Sequence, residues 1–155
     1  MESWNRMSAD SVRTHTPDGV NRRIDERVEK CVRHMAEQER SAISEYLKQL
    51  EHQWDLNRVV TVAASAVTVL GLVAGAKDGR GWRVLSGVAA GLLLQHGIFG
   101  FGPLAELVRV LGARTRREID LEKFALKALR GDFERIPHEG GPLARANAAL
   151  VAAQS

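Results

Sequence analysis

Cysteine is almost missing from this 155-residue chain. The single one, Cys31, excludes an internal disulfide framework and any zinc cage built on two or more thiolates. An excess of charge of one sign is missing too: 22 lysines and arginines face 19 aspartates and glutamates, for a net +3 on a 26% charged background. A nucleic-acid grip needs a lopsided basic face, so nucleic acid is not an expected partner. The familiar catalytic signatures are also lacking. There is no GxxxxGKS or GxxxxGKT phosphate loop, no GxGxxG after a strand, no HExxH and no GxSxG. The alternating apolar segments that a Rossmann or barrel fold needs are absent as well. The chain therefore reads as a non-enzyme with no catalytic, cofactor-binding or metal-binding set.

What the sequence does have is two long apolar runs. Val59 to Ala76 (VVTVAASAVTVLGLVAGA) is 18 residues without a charge. As a helix it measures roughly 27 Å, close to the ~30 Å hydrocarbon core of a bilayer. The polar stretch Lys77 to Arg83 (KDGRGWR) follows, and then VLSGVAAGLLLQHGIFGFG runs from Val84 to Gly102 before Pro103 ends it. The expected fold class is all-α: a two-span transmembrane helical hairpin over 59–102, with spans 59–76 and 84–102 and a turn at 77–83. Trp54 and Trp82 just before the runs, and Phe99 and Phe101 near the far end, fit the interfacial aromatic belt.

Basic residues near the span ends set the orientation. Arg40, Lys48 and Arg58 precede the hairpin and Arg109, Arg114, Arg116 and Arg117 follow it, against Lys77, Arg80 and Arg83 in the turn. Seven against three places both termini in the cytoplasm. The opening stretch, MESWNRMSADSVRTHTPDG, has no apolar h-region, so insertion is expected to rely on the internal spans, and residues 1–19 read as a flexible tail.

Residues 20–58 read as a cytoplasmic amphipathic helix. Ile24, Val28, Cys31, Met35, Ala42, Ile43, Tyr46, Leu50 and Trp54 recur at helical spacing, with an interruption around Gln38 and Glu39. Eight basic and eight acidic side chains balance on its surface, which suits packing against another helix. Residues 103–131 read as juxtamembrane amphipathic helices. Leu104, Leu107, Val108 and Leu111 form the first stripe, with Gly112 as a stop. Thr115-Arg116-Arg117-Glu118 has the pattern of a capping box opening a second helix, which Gly131 ends. That second helix carries a net +2, so it suits either anionic lipid or the first cytoplasmic helix. Residues 132–155 read as a flexible C-terminal tail whose end has some helical character.

Within the hairpin, Ala64, Thr68, Gly71 and Gly75 make a groove of small side chains, and Gly87 and Gly91 form a second GxxxG pair. Lipid supplies no hydrophobic drive between helices, so close backbone approach at glycine decides packing. The pairs fit contact within the hairpin or with a second copy. Gln95 continues the Gly87–Gly91 face, where its amide could hydrogen-bond across an interface.

Several strings resemble the stand-alone members of the YgaP-like transmembrane domain family, bacterial inner-membrane proteins. They are Gln53-Trp54-Asp55-Leu56-Asn57-Arg58, Leu94-Gln95-His96-Gly97 and Gly100-Phe101-Gly102-Pro103-Leu104, then Leu111-Gly112-Ala113-Arg114-Thr115, Glu118-Ile119-Asp120 and 125–133 (ALKALRGDF). The resemblance covers about half the chain and implies a helical hairpin in the bacterial inner membrane. Some relatives carry a fused rhodanese domain, which this sequence lacks. Relatives commonly have cysteine before the proline that ends the second span. Here Gly102 stands there, so no thiol chemistry carries over.

Three functional readings follow. The first is a non-catalytic membrane anchor or scaffold, whose partners are the lipid bilayer and a second copy or another membrane protein. The second is a pH- or redox-responsive accessory subunit using His96 or Cys31. An ionisable side chain inside a span is costly and often functional, and His96 lies about 100° round the helix from Gln95. A neutral imidazole bonded to a carbonyl is its structural alternative. Cys31 and His34 share a helix face, as do His52 and Asp55, at spacings that surface residues also adopt. The third reading is a soluble helical regulatory bundle with the apolar runs as its core.

Overall fold

A computed structural model describes residues 10–136 and 141–154. The fold is all-α: among the described residues there are helices and short connections and no strand. The helices are α1 (Ser11–His15), α2 (Asp18–Ala36), α3 (Arg40–His52), α4 (Leu56–Asp78), α5 (Arg80–Phe99), α6 (Pro103–Val110), α7 (Arg116–Arg130) and α8 (Pro142–Gln154), with a 3-10 turn at Asp132–Arg135. They divide into two units, one of residues 10–25 and Trp54–Arg117, the other beginning with Glu26–Gln53 and resuming at Glu118.

The first unit is organised by α4 and α5, an antiparallel helical hairpin. The turn expected over seven residues is a single one, Gly79, between α4 and α5. The polar residues around it continue the helices, because nothing in KDGRGWR other than glycine opposes helix. α4 opens at Leu56, three residues before the apolar run. Asp55 is its N-cap, accepting a hydrogen bond from the Arg58 N–H at 2.8 Å. α5 stops at Phe99 rather than at 102, because Gly100 adopts the left-handed conformation (φ 72°) and its N–H caps the His96 carbonyl at 2.8 Å. Gly102 and Pro103 then start α6, whose axis is bent 88° from that of α5. A small core of Val12, Leu56, Val60 and Ala105 gathers below the hairpin, with Leu104, Val108 and Ala113 packed on it.

Residues 10–19 are not a loose tail. α1 is capped by Asp10, Val12 is buried, and the Arg13 guanidinium forms a buried two-point pair with the Asp25 carboxylate. The helix expected over 20–58 is interrupted twice, after Ala36 and again at 53–55, where the Asp55 cap starts a new helix. The first break lies where Gln38 and Glu39 interrupt the apolar stripe.

The second unit has an apolar core of Ile43, Leu47 and Leu50 from α3 and Ile119 and Leu126 from α7, with Met35 and Tyr46 against it. Polar contacts seal its rim. The Tyr46 hydroxyl donates to Glu122 Oε1 at 3.3 Å, Lys123 pairs with Glu51 at 3.5 Å, and Arg130 donates to Ser44 Oγ at 2.9 Å. Gly131 ends α7 in the left-handed conformation (φ 86°). Past it the expected tail is ordered over 132–136 and 142–154. α8 is docked through buried Ala152, and Lys127 Nζ caps its end by donating to the Ala153 carbonyl at 2.6 Å. Burial, reinforced by repulsion from Lys123, lowers the Lys127 pKa from its ordinary value. The parts of the expected tails at 1–9, 137–140 and 155 lie outside the described residues.

Candidate functional site: the hairpin seam and its elbow

Small residues line the seam of the hairpin. Ala64, Gly71 and Gly75 are buried in α4 and Thr68 is half-buried between them. A Cβ on Gly71 would press on Ser86 Oγ and stand 3.0 Å from the Trp82 carbonyl oxygen; one on Gly75 would stand 3.2 Å from the Arg83 backbone nitrogen. These two glycines are therefore where α5 comes closest. From α5 the seam receives Ser86, Ala89 and His96, all buried. Gly87 and Gly91 lie elsewhere: both are exposed, and an added Cβ would meet nothing within 4 Å. They take no part in packing within the hairpin. The offset arises because Ser86, Ala89 and His96 already occupy the inward face, and residues one or two positions on point away from it.

Among the described residues, two hydrogen bonds cross the seam. Ser86 Oγ donates to the Thr68 carbonyl at 3.1 Å, and His96 Nε2 lies 3.1 Å from Asn57 Oδ1. The pairs are separated by eleven residues along α4 and ten along α5, about three turns on each helix, as antiparallel register requires. With its proton on Nε2, a neutral His96 donates to Asn57, and Nδ1 is left buried without a partner. Gln95, expected to bond across an interface, instead has its amide beside Gly102. An apolar groove of about 470 Å³ runs along the hairpin past Ser65, Thr68, Ala90, Leu94 and Ile98. Its polar lining is limited to hydroxyls, which offer neither an acid–base pair nor a set of metal ligands.

Below the seam lies an elbow that links the hairpin to α1, α2 and α6. Ser11 Oγ donates to the Gly100 carbonyl at 3.3 Å, and His15 stacks on Phe101 with ring centroids 3.8 Å apart. The Leu56 N–H donates to the Arg114 carbonyl at 2.8 Å. Arg109 is wholly buried (0% exposed). It donates to Asn21 Oδ1 at 3.0 Å and to the Ala113 carbonyl at 3.1 Å, while Asn21 donates in turn to the Arg13 carbonyl at 3.0 Å. Thr115 Oγ1 closes the circuit by donating to Asp10 Oδ2 at 2.7 Å. Burying a polar group is costly unless it is hydrogen-bonded, and Arg109, Asn21 and Thr115 hold one another's neighbours in place through these bonds.

The basic residues that the sequence presented as flanking charges thus divide. Arg109 and Arg114 are buried in the elbow, whereas Arg58, Arg116 and Arg117 remain exposed, with Arg58 over the Trp54 ring at 4.6 Å. Sequence reasoning missed Ser86, Asn57 and the elbow. The spacing of Ser86, Ala89 and His96 along one helix face was a readable signal for the first; Asn57 had none, because a turn centred on Arg80 would set His96 opposite Ala64. Cys31 is half-buried and free of disulfide, and no group of three His, Cys, Asp or Glu gathers as a metal site among the described residues. Compared with protein-family models, curated proteins and solved structures, the chain matches none.

Proposed function

We propose that this chain is a small integral membrane protein acting as a non-catalytic anchor or scaffold, with α4 and α5 crossing the bilayer as a hairpin. The observation that carries the reading is the outward surface of the two helices. Val69, Leu70, Leu72 and Val73 on α4 and Val84, Val88, Leu94 and Ile98 on α5 are all more than half exposed. Water-soluble monomers rarely leave a contiguous apolar surface of more than a few hundred Å² uncovered. The stretch Arg40–Ala76 contains a span-length window of mean hydropathy 2.2, of which only 22% is buried. A soluble bundle would bury that window in its core, so this figure favours lipid over the bundle.

By length and composition, one helix suffices alone as a span, and α5 passes together with α6, from which it is bent. Gln95 and His96 lower the hydropathy of α5. Its length of 20 residues still gives about 30 Å of helix, the thickness of the hydrocarbon core. The basic flanks favour cytoplasmic termini. The resemblance to the YgaP-like transmembrane domain family agrees with a bacterial inner-membrane location. The helical segments that precede and follow the hairpin in the sequence would then hold a second copy or another membrane protein. Washing membranes of expressing cells with alkaline carbonate tests the reading. The protein should stay in the pellet and require detergent; release into buffer would overturn it.

One observation favours the second reading, a responsive accessory subunit. Nδ1 of His96 is buried with no partner, an arrangement that can accept a proton or a ligand. If the detergent-extracted protein shows no visible absorbance band and His96→Ala behaves identically between about pH 5 and 8, the His96 form of this reading is removed.

A further inference from the structure

We infer that α6 is an in-plane membrane helix, inserting Leu107, Val110 and Leu111 at the boundary between headgroups and acyl chains on the side of the bilayer where α5 ends. The inference rests on the proposed membrane hairpin and adds a second, separate contact with lipid. Three observations carry it.

The first is direction. α6 is bent 88° from α5, so when α5 runs along the bilayer normal, α6 runs along the membrane plane. The bend is fixed by the left-handed Gly100, by Pro103 at the first turn of α6, and by the Ser11 hydrogen bond and His15–Phe101 stack that hold the elbow.

The second is rotation. Ala105 and Arg109, on one face of α6, are both 0% exposed, the former within the core of Val12, Leu56 and Val60 and the latter bonded to Asn21. The helix cannot roll to hide its other face. That face carries Leu107, Val110 and Leu111, exposed to 63%, 58% and 80%, with the exposed Glu106 at its edge. An amphipathic helix of this kind buries its apolar side about 5–10 Å into the interfacial zone.

The third is surroundings. Asn57 and His96 meet across the seam, so the start of α4 and the end of α5 share one end of the hairpin. That end also carries exposed Phe99 and the Trp54–Arg58 pair, the amphipathic ring and cation that favour the headgroup level. Three side chains on a two-turn helix fall well short of the ~800 Å² per partner of a standard protein interface, so lipid is the occupant argued for.

The test uses the full chain with Cys31 replaced by Ser and single cysteines at 69, 106, 107, 111 and 143, each spin-labelled in phosphatidylcholine–phosphatidylglycerol vesicles. Collision with oxygen reports lipid, and collision with a water-soluble nickel chelate reports water. Leu107→Cys and Leu111→Cys should show an oxygen-to-nickel ratio severalfold above that of Glu106→Cys and Leu143→Cys, and below that of Val69→Cys. If labels at 107 and 111 are as open to nickel as the one at 143 while 69 is lipid-exposed, the inference is overturned and the hairpin stands. Labels at 107 and 111 shielded from both reagents mean a protein partner covers α6, which also overturns it. If 69 itself collides with nickel, the membrane reading fails before α6 is at issue.

Discussion

The hairpin and the α3–α7 pair use similar apolar residues in opposite ways. In the α3–α7 pair, Ile43, Leu47, Leu50, Ile119 and Leu126 point inward, and charged side chains cover the rim. In the hairpin the inside is Ala64, Gly71, Gly75, Ser86, Ala89 and His96, while valine and leucine point outward. Water drives the first arrangement, because each leucine removed from it gains about 1.5–3 kcal/mol. No such drive acts between helices when the surroundings are as apolar as leucine, and close backbone contact and internal hydrogen bonds decide instead. The contrast is the one expected if two solvents, water and the proposed bilayer, act on one chain.

Shortening one leucine in each region separates the two arrangements most strongly. Leu126→Ala, at a position 0% exposed, should cost about 2–5 kcal/mol of stability in chemical denaturation of the second unit. Leu70→Ala, at a position 67% exposed, should stay within about 0.5 kcal/mol in detergent or lipid. Equal losses would mean that both regions bury leucine alike.

A second pair tests the inside of the hairpin. Gly71→Leu drives a side chain into Ser86 and the Trp82 carbonyl, and should part α4 from α5, read as loss of a 68–86 disulfide crosslink between introduced cysteines. Gly91→Leu meets nothing within 4 Å and should leave that crosslink intact. A change of oligomer size confined to Gly91→Leu would assign the outer glycines to a second copy.

The smallest effect concerns the one buried lysine of the charged region. The folded state holds the Lys127 proton less tightly than the unfolded chain does, chiefly through burial. The unfolded state therefore binds more protons in the window below the ordinary lysine pKa of 10.5, and stability rises with pH there. The denaturation midpoint of the second unit should climb across that alkaline window relative to Lys127→Met, which has no proton to lose. Parallel curves would remove Lys127 as the cause.

The presence of a helical hairpin and the glycine stops at 112 and 131 were legible, because each depends on a short, contiguous pattern; the interrupted stripe at Gln38 and Glu39 was visible too, although a single helix was expected across it. The elbow was not. Its bonds join residues 88 and 105 positions apart, and arginines counted only as charges near a span end give no hint that Arg109 is fully enclosed. Of the two contacts expected for the α5 glycine pair, the one within the hairpin failed for a different reason. GxxxG at Gly87 and Gly91 is a conspicuous pattern, but helix rotation is set by all the inward residues together, and Ser86, Ala89 and His96 outweighed it. The single-residue turn at Gly79 was hidden because charged residues read as loop although they are good helix formers.

Whether α4 and α5 cross the bilayer is read from the sidedness of single cysteines in cells, with Cys31 replaced by Ser. Arg80→Cys lies beside the turn and Glu51→Cys ahead of α4. A membrane-impermeant maleimide applied to spheroplasts should label Arg80→Cys at once and Glu51→Cys only after permeabilisation. If both react together, or neither does until the membrane is opened, α4 and α5 do not cross the bilayer as a hairpin.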